Sequence, residues 1–130
     1  MTAPSWDGRT YRITRADLVA YAEASGDHNP IHQDEAVARS VGLPGVIAHG
    51  MYTLALAARY VDEQLGGPGR ITRIGAKFTR PVVVPEEGTE VVVSGERRDD
   101  GTIVLTVTCA GEKVLAAATA AVDDGEDSGG

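Results

Sequence analysis

The chain has 130 residues, of which 42% are hydrophobic and 24% charged, the size and composition of one globular domain with a single core. The formal net charge of −7 opposes DNA or RNA as the main partner, although part of it comes from the Asp-, Glu- and Gly-rich segment 123–130. We expect this segment to be a disordered acidic tail that follows a single domain over residues 1–122.

Membrane, secretion and disulfide signals are not recognisable. The longest apolar run, over residues 115–122, is far shorter than the ~20 residues of a membrane-spanning helix, and the first residues have no apolar signal-peptide core. The single cysteine, Cys109, excludes an internal disulfide. We therefore expect a cytoplasmic protein with no membrane partner.

The first third of the chain favours helices after one short strand. Residues 10–13 have the pattern of an edge strand, and Thr14 with Asp17 three residues later indicates the start of a helix that ends at Gly26. A loop containing Pro30 follows, and then a short helix is predicted over about residues 34–41.

A longer helix is predicted over about residues 49–65, and the glycines and proline of residues 66–69 end it. Its alanines make it slender enough for a sheet to wrap closely around it. Helical spacing predicts the following residues on its buried face: Met51, Leu54, Ala55, Ala58, Val61 and Leu65.

The rest of the chain is typical of β-strands. Strands are predicted over residues 70–80, 89–98, 102–109 and 113–122, with a hairpin turn at Asp100–Gly101. Early helices, one long helix and then an antiparallel meander predict an α+β fold of about five strands. Such a sheet leaves one edge unpaired, which favours a dimer.

Residues 25–32 contain the densest group of chemically active side chains. Asp27 and His32 lie on either side of Asn29 and Pro30, and the proline stiffens the loop between them. A carboxylate and an imidazole that face one small volume form a general acid/base pair, which Asn29 could support through its amide. Ordinary Asx-turn chemistry is an equally good interpretation of these residues alone.

A metal site is the weakest interpretation of this loop. His28 and His32 are four residues apart, with Asp27 and Asp34 nearby, but Pro30 opposes the helix that would align the two histidines. We therefore predict neither a metal nor another cofactor.

A second segment, residues 45–51, leads into the long helix. Free N–H groups at a helix start suit an oxygen that gains negative charge, and Gly50 lets a ligand approach the backbone. Close packing of the helix against the sheet explains this glycine equally well, and a structural role is the simpler interpretation of His49 alone.

Together the two segments resemble the hydratase motif of the MaoC-like hot-dog family. Gly26–Asp27–X–Asn29–Pro30–Ile31–His32 is followed, in matching order and spacing, by Gly42–Leu43–Pro44 and by Ile47–Ala48–His49–Gly50–Met51. The resemblance covers residues 10–122. It is closest to the catalytic B subunit of the mycolic-type (3R)-hydroxyacyl-ACP dehydratase, and the family also contains R-specific enoyl-CoA hydratases.

The resemblance implies a hot-dog fold, in which an antiparallel sheet wraps a central helix, and a hydro-lyase of fatty acid metabolism. It makes Asp27 and His32 the catalytic pair and Asn29 a supporting residue. The Gly50 N–H becomes the donor to the thioester oxygen, with His49 and Met51 beside it in the substrate site. The substrates would be (3R)-3-hydroxyacyl or trans-2-enoyl thioesters of CoA or acyl carrier protein (ACP).

The helix after Gly50 departs from part of the family. Some R-specific hydratases place a serine there near the acyl pocket, and only Thr53 could replace it here; Tyr52, Leu56 and Tyr60 are candidates to limit the pocket. A hot-dog thioesterase is the nearest alternative function, but residues 50–61 contain no Asp or Glu. The other alternative is a non-catalytic acyl-binding subunit, which would be expected to lack Asp27 or His32.

One stretch of the sequence is basic. Residues 64–85 contain four basic residues and no acidic one: Arg70, Arg73, Lys77 and Arg80. Charges that discourage edge-to-edge strand pairing explain this pattern, and so does a binding surface for CoA phosphates or an acidic ACP. The protein would act as a homodimer or as a heterodimer with a related hot-dog subunit.

Overall fold

The computed structural model describes residues 5–122, so the predicted tail lies outside the described part of the chain. In chain order the elements are β1 (Ser5–Ile13), α1 (Arg15–Ser25), a 3₁₀ turn (Pro30–His32), α2 (Glu35–Ser40), α3 (Gly50–Gln64), β2 (Ile71–Phe78), β3 (Thr89–Arg97), β4 (Ile103–Cys109), β5 (Glu112–Lys113) and β6 (Leu115–Val122).

Helix α1 begins and ends where the local signals predicted. The Thr14 side chain accepts a hydrogen bond from the Asp17 N–H, and the Asp17 carboxylate accepts one from the Thr14 N–H, which makes a capping box. At the other end Gly26 has a φ of 80°, a left-handed conformation that glycine adopts at little cost. The loop that contains the candidate catalytic residues therefore begins directly after a well-defined helix end.

The strands form one antiparallel sheet in the order β1-β3-β4-β6-β2, with β5 paired to β4. The predicted meander is correct for β3, β4 and β6, which are neighbours in sequence and in space. It is wrong for β2, which pairs with β6 at the far edge instead of with β3. Strand β1, longer than predicted, pairs with β3 and forms the other edge.

Helix α3 lies against this sheet and contacts β1, β2 and β3. The face that the sequence predicted to be buried is wrong for Met51, which is 58% exposed, and for Ala55, which is also exposed. Val61 is buried as predicted, and Leu54 and Leu65 are partly buried against the core. The buried residues of α3 are Thr53, Leu56, Ala57, Tyr60 and Val61. They share the spacing of a helical face, but α3 is apolar around most of its first three turns, so spacing alone did not select the face.

None of the helices within residues 5–122 is long and apolar enough to cross a membrane.

Candidate active site

The loop after α1 is held by a series of side-chain-to-backbone hydrogen bonds. The Asp27 Oδ1 accepts from the Asn29 N–H at 3.2 Å, and the Asn29 Oδ1 accepts from the Ile31 N–H at 3.2 Å. Asn29 is also the N-cap of the 3₁₀ turn that carries His32. The Asx-turn chemistry is thus present, and it fixes the backbone from which both Asp27 and His32 project.

His32 is 8% exposed and is anchored by one ring nitrogen. Its Nδ1 lies 2.8 Å from the Ile47 carbonyl oxygen. A carbonyl oxygen can only accept, so Nδ1 carries the proton and Nε2 is the atom left for acid/base chemistry. The Ile47 N–H donates in turn to the Ile31 oxygen at 3.2 Å, which ties this segment to the turn next to His32.

His49 joins the same group from the start of α3. Its Nε2 lies 3.1 Å from the Asp27 carbonyl oxygen, so this nitrogen is the donor. Its ring stacks on the His32 ring, with centroids 3.8 Å apart and planes 25° apart. A carboxylate oxygen of Asp27 and one ring nitrogen each of His32 and His49 all lie within 4.8 Å of one another.

The start of α3 is held in place by a short pairing of two loops. The Ala48 N–H donates to the Val82 oxygen at 2.9 Å, and the Val84 N–H donates to the Val46 oxygen at 2.8 Å. The N-cap His49 makes no side-chain capping hydrogen bond, so the N–H groups at the beginning of α3 are not covered by a cap. Gly50 is the first helical residue and is half-buried.

A cavity of about 330 Å³ lies beside these groups. His32, Gly50 and Thr53 line it, together with aliphatic residues of the β2–β3 connection and of β6. Asp27, Asn29, His49 and Met51 are not among its lining residues. Asp27 and Asn29 are exposed in the loop, His49 is buried behind the cavity wall, and Met51 points outward.

The three residues named as candidates to limit the pocket do not line this cavity. Tyr52 stacks on Tyr21, while Leu56 and Tyr60 are buried in the core, and none of these residues lines the cavity. They occupy other faces of α3, whereas Thr53 is in the position from which a hydroxyl can reach the cavity.

Phe78 and Arg80 line the cavity, and sequence reasoning did not assign either to it. Phe78 is 54% exposed at the end of β2, and its ring tip packs over Gly50. An apolar residue at the end of a basic strand is a weak signal, because the approach of β2 to the start of α3 depends on the tertiary fold.

Burial determines the charge state that His32 prefers. Loss of solvent lowers the pKa of His32 below 6.5, and the neighbouring His49 acts in the same direction. The hydrogen bond to Ile47 and the carboxylate of Asp27 oppose this shift without cancelling it. Near neutral pH the imidazole is therefore mainly neutral, with an accepting Nε2.

The three clustered donor groups are poorly arranged for a metal ion. The His32 and His49 rings are stacked face to face, so their in-plane lone pairs run side by side and do not converge at the ~2.0–2.1 Å distance that Zn²⁺ requires. The other histidine of the loop, His28, is exposed and lies 4.0 Å from Glu23, outside the cluster. Asp34 caps α2 through the Val37 N–H.

Comparison with known proteins gives a consistent result. The MaoC like domain matches residues 5–114. The 3-hydroxyacyl-thioester dehydratase Y of Mycobacterium tuberculosis is 37% identical over 122 residues, covering 92% of this chain and 41% of that protein. The (R)-specific enoyl-CoA hydratase of Aeromonas caviae is 36% identical over 97 residues, covering 73% of this chain and 72% of that enzyme.

A solved MaoC-like dehydratase superposes with a TM-score of 0.90 at 35% identity, over 95% of this chain and 40% of that one. The chain spans less than half the length of this structure and of dehydratase Y. The match nevertheless covers almost the whole described fold, including the loop, the start of α3 and the sheet. The chain therefore belongs to the MaoC-like family and has its hot-dog fold, as the sequence resemblance implied.

Proposed function

We propose that this chain reversibly adds water across the double bond of trans-2-enoyl thioesters, which in the other direction dehydrates (3R)-3-hydroxyacyl thioesters. The observation that carries this proposal is the closeness of Asp27 and His32 beside a cavity that Gly50 also lines. The names of the relatives, a 3-hydroxyacyl-thioester dehydratase and an (R)-specific enoyl-CoA hydratase, support the same reaction class.

The spacing of the pair fits one water molecule. A water that donates two hydrogen bonds of about 2.8 Å spans groups about 4–5 Å apart, and a carboxylate oxygen of Asp27 and a nitrogen of His32 lie within 4.8 Å of each other. Both groups accept hydrogen bonds when His32 is neutral. A water held between them presents its oxygen lone pair to C3 of the enoyl group.

In hydration, the water oxygen forms a bond to C3 while one member of the pair takes the proton that it loses. The electrons of the double bond move onto the thioester carbonyl, and the member of the pair that took the proton then delivers it to C2. The Gly50 N–H and the positive end of α3 face the oxygen that carries the transient negative charge. Dehydration follows the same steps in reverse.

The cavity suits the acyl chain because its lining is mainly aliphatic. Its volume of about 330 Å³ is at the lower end of the range for ligand pockets, about 300–1,000 Å³. We therefore expect short enoyl thioesters to be better substrates than long ones.

The basic residues near the cavity support a phosphate-bearing or acidic carrier. Arg80 lines the cavity and lies 3.6 Å from Glu112, while Arg73 and Lys77 are exposed on the edge strand β2. We place the phosphates of CoA, or the acidic surface of an ACP, against this strand. If this is correct, Lys77→Gln raises KM with little change in kcat, and added salt weakens binding of the unmodified protein.

The test of the proposed function is hydration of crotonyl-CoA, followed as the loss of absorbance from the conjugated double bond. Asp27→Asn and His32→Ala should each lower kcat at least ~100-fold, the low end for loss of a positioned acid or base. The matched controls are Asp34→Asn, which retains a capping side chain on α2, and His28→Ala, which removes an exposed histidine of the same loop.

A thiol assay on the same mixtures distinguishes the alternative functions. Release of free CoA without loss of the double bond would indicate a thioesterase. Binding of the thioester with neither change would indicate a non-catalytic acyl-binding subunit. Activity that survives in Asp27→Asn or His32→Ala at unchanged circular dichroism would contradict the assigned pair.

A further inference from the structure

His49 lies where the three parts of the site meet. It immediately precedes Gly50, its Nε2–H donates to the Asp27 carbonyl oxygen at 3.1 Å, and its ring stacks on His32 at 3.8 Å. Tyr21 contacts the His49 ring as well, with centroids 4.7 Å apart and a tilted geometry. At 2% exposure, His49 is separated from solvent and does not line the cavity.

The two buried histidines connect the two segments of the site reciprocally. His32, in the loop after α1, donates to the backbone oxygen of Ile47, in the segment before α3. His49, at the end of that segment, donates to the backbone oxygen of Asp27, in the loop. Each imidazole is thus held by the segment that carries the other, and their rings are in contact.

Packing alone does not account for a histidine at this position. The Nδ1 of His49 is buried and has no hydrogen-bond partner within the described residues. An unsatisfied buried polar atom costs about 1–3 kcal/mol, which an apolar ring would avoid. Nor does His49 cap α3, since it makes no side-chain capping hydrogen bond there. What its polar side chain does provide is the bond to Asp27.

We propose that His49 is a positioning residue that holds Asp27 at its working distance from His32. Its Nε2–H fixes the backbone of Asp27, and its ring supports one face of the His32 imidazole. This role rests on the proposed hydratase function, but its geometric part can be tested without turnover. His49 itself touches neither the substrate nor the water in this proposal.

Two substitutions separate the hydrogen bond from the packing. His49→Phe keeps an aromatic ring for stacking but removes the donor to Asp27. His49→Gln keeps an N–H donor at a similar reach but removes the ring. A misplacement of reacting groups by about 1 Å can cost ~100-fold in rate, so we expect His49→Phe to lower kcat by about 10- to 100-fold with KM changed by less than ~3-fold.

The order of the two variants decides the question. Positioning through the hydrogen bond predicts a higher kcat for His49→Gln than for His49→Phe. A purely structural role predicts the reverse, because phenylalanine fills the buried site better than glutamine. Leu56→Ala is the matched control, since it removes a buried side chain of α3 about two turns beyond His49 and should lower Tm without lowering kcat.

Nuclear magnetic resonance gives a readout that does not depend on activity. The Asn29 amide donates to the Asp27 Oδ1, and the His32 Nδ1–H donates to Ile47, so both signals report on the loop. Both should shift in His49→Phe and stay in place in Leu56→Ala. Unmoved signals, or a kcat of His49→Phe within twofold of the unmodified protein, would overturn the proposal. Failure of the unmodified protein to hydrate crotonyl-CoA would instead overturn the proposed function, while the resonance test would still stand.

Discussion

A methyl group added to Gly50 tests the proposed oxyanion site directly. A Cβ at this position would lie 3.1, 3.2 and 3.3 Å from three atoms at the tip of the Phe78 ring. These distances are shorter than the ~3.5–4.0 Å of an ordinary carbon contact, so the ring must shift by a few tenths of an ångström. Phe78 is 54% exposed and can make this adjustment.

The stability of Gly50→Ala should therefore change little. Crowding against a movable ring opposes folding, whereas alanine in a helix is favoured over glycine by up to about 1 kcal/mol. The two effects have opposite signs and similar size. We expect Tm to stay within a few degrees of the unmodified protein, measured by thermal melting followed by circular dichroism.

Turnover should respond much more strongly than stability. Removing one oxyanion-hole donor typically costs about 10²–10³ in kcat, or about 2.7–4 kcal/mol. In Gly50→Ala the N–H remains but its approach is crowded, so we expect a loss of about 10- to 100-fold, and at least ~100-fold in Gly50→Val. KM should change far less, because the donor acts mainly when negative charge develops.

Phe78→Ala is the control that separates the two consequences of the added methyl. If the loss of turnover came from displacement of the Phe78 ring, combining Gly50→Ala with Phe78→Ala would restore kcat. We expect no such recovery, because the methyl still stands beside the N–H. A normal kcat with only a raised KM in Gly50→Val would refute the reasoning and place the thioester oxygen elsewhere.

Three further predictions concern pH, the anchoring of the second segment and assembly. The lowered pKa of His32 places the acid limb of the kcat/KM profile below pH 6.5, and an inflection of that profile above pH 6.5 would contradict this. The protein should also lose stability as the pH falls from about 6.5 through the lowered pKa, because the unfolded chain binds the proton more readily. Glu35 accepts hydrogen bonds from Arg39, Arg15 and the Val46 N–H, and these bonds lower its pKa. Glu35→Gln should therefore reduce Tm at pH 7, and the difference in Tm from the unmodified protein should shrink as the pH falls below about 4.5. Glu23→Gln is the exposed control. Because the described sheet is also open at its other edge, β1, it can take up a second subunit while the carrier lies against β2. This predicts a dimer, with itself or with a related subunit, in light scattering at micromolar concentration, and a fully active monomer would rule this out.

The features that sequence predicted well are those determined within a few residues. The Thr14–Asp17 helix start and the Gly26 helix end are local hydrogen-bond or backbone-conformation effects. The alternating burial of β4 was equally predictable, with Ile103 and Val107 buried as expected. In each case the physical cause lies in neighbouring residues, so no knowledge of the tertiary fold was required.

The features that sequence missed depend on contacts between distant segments. The position of β2 beside β6 and the buried face of α3 are decided by how the whole sheet closes around the helix. The same applies to Phe78 at Gly50 and to the Ile47 oxygen that sets the His32 tautomer. A backbone carbonyl has no sequence signature, so its part in the site could come only from coordinates.

The reciprocal bonds between the two segments explain why short motifs separated along the chain were informative. The two hydrogen bonds between the segments, His32 to Ile47 and His49 to Asp27, depend on the number of residues inside each segment. One residue more or fewer between Asp27 and His32, or between Ile47 and His49, would break both bonds. The number of residues between the two segments is less restricted, because this connection need only bring the second segment back beside the first. The site therefore constrains spacing inside each segment strictly and the length of the connection between them loosely, which is the pattern that a local sequence motif can reveal.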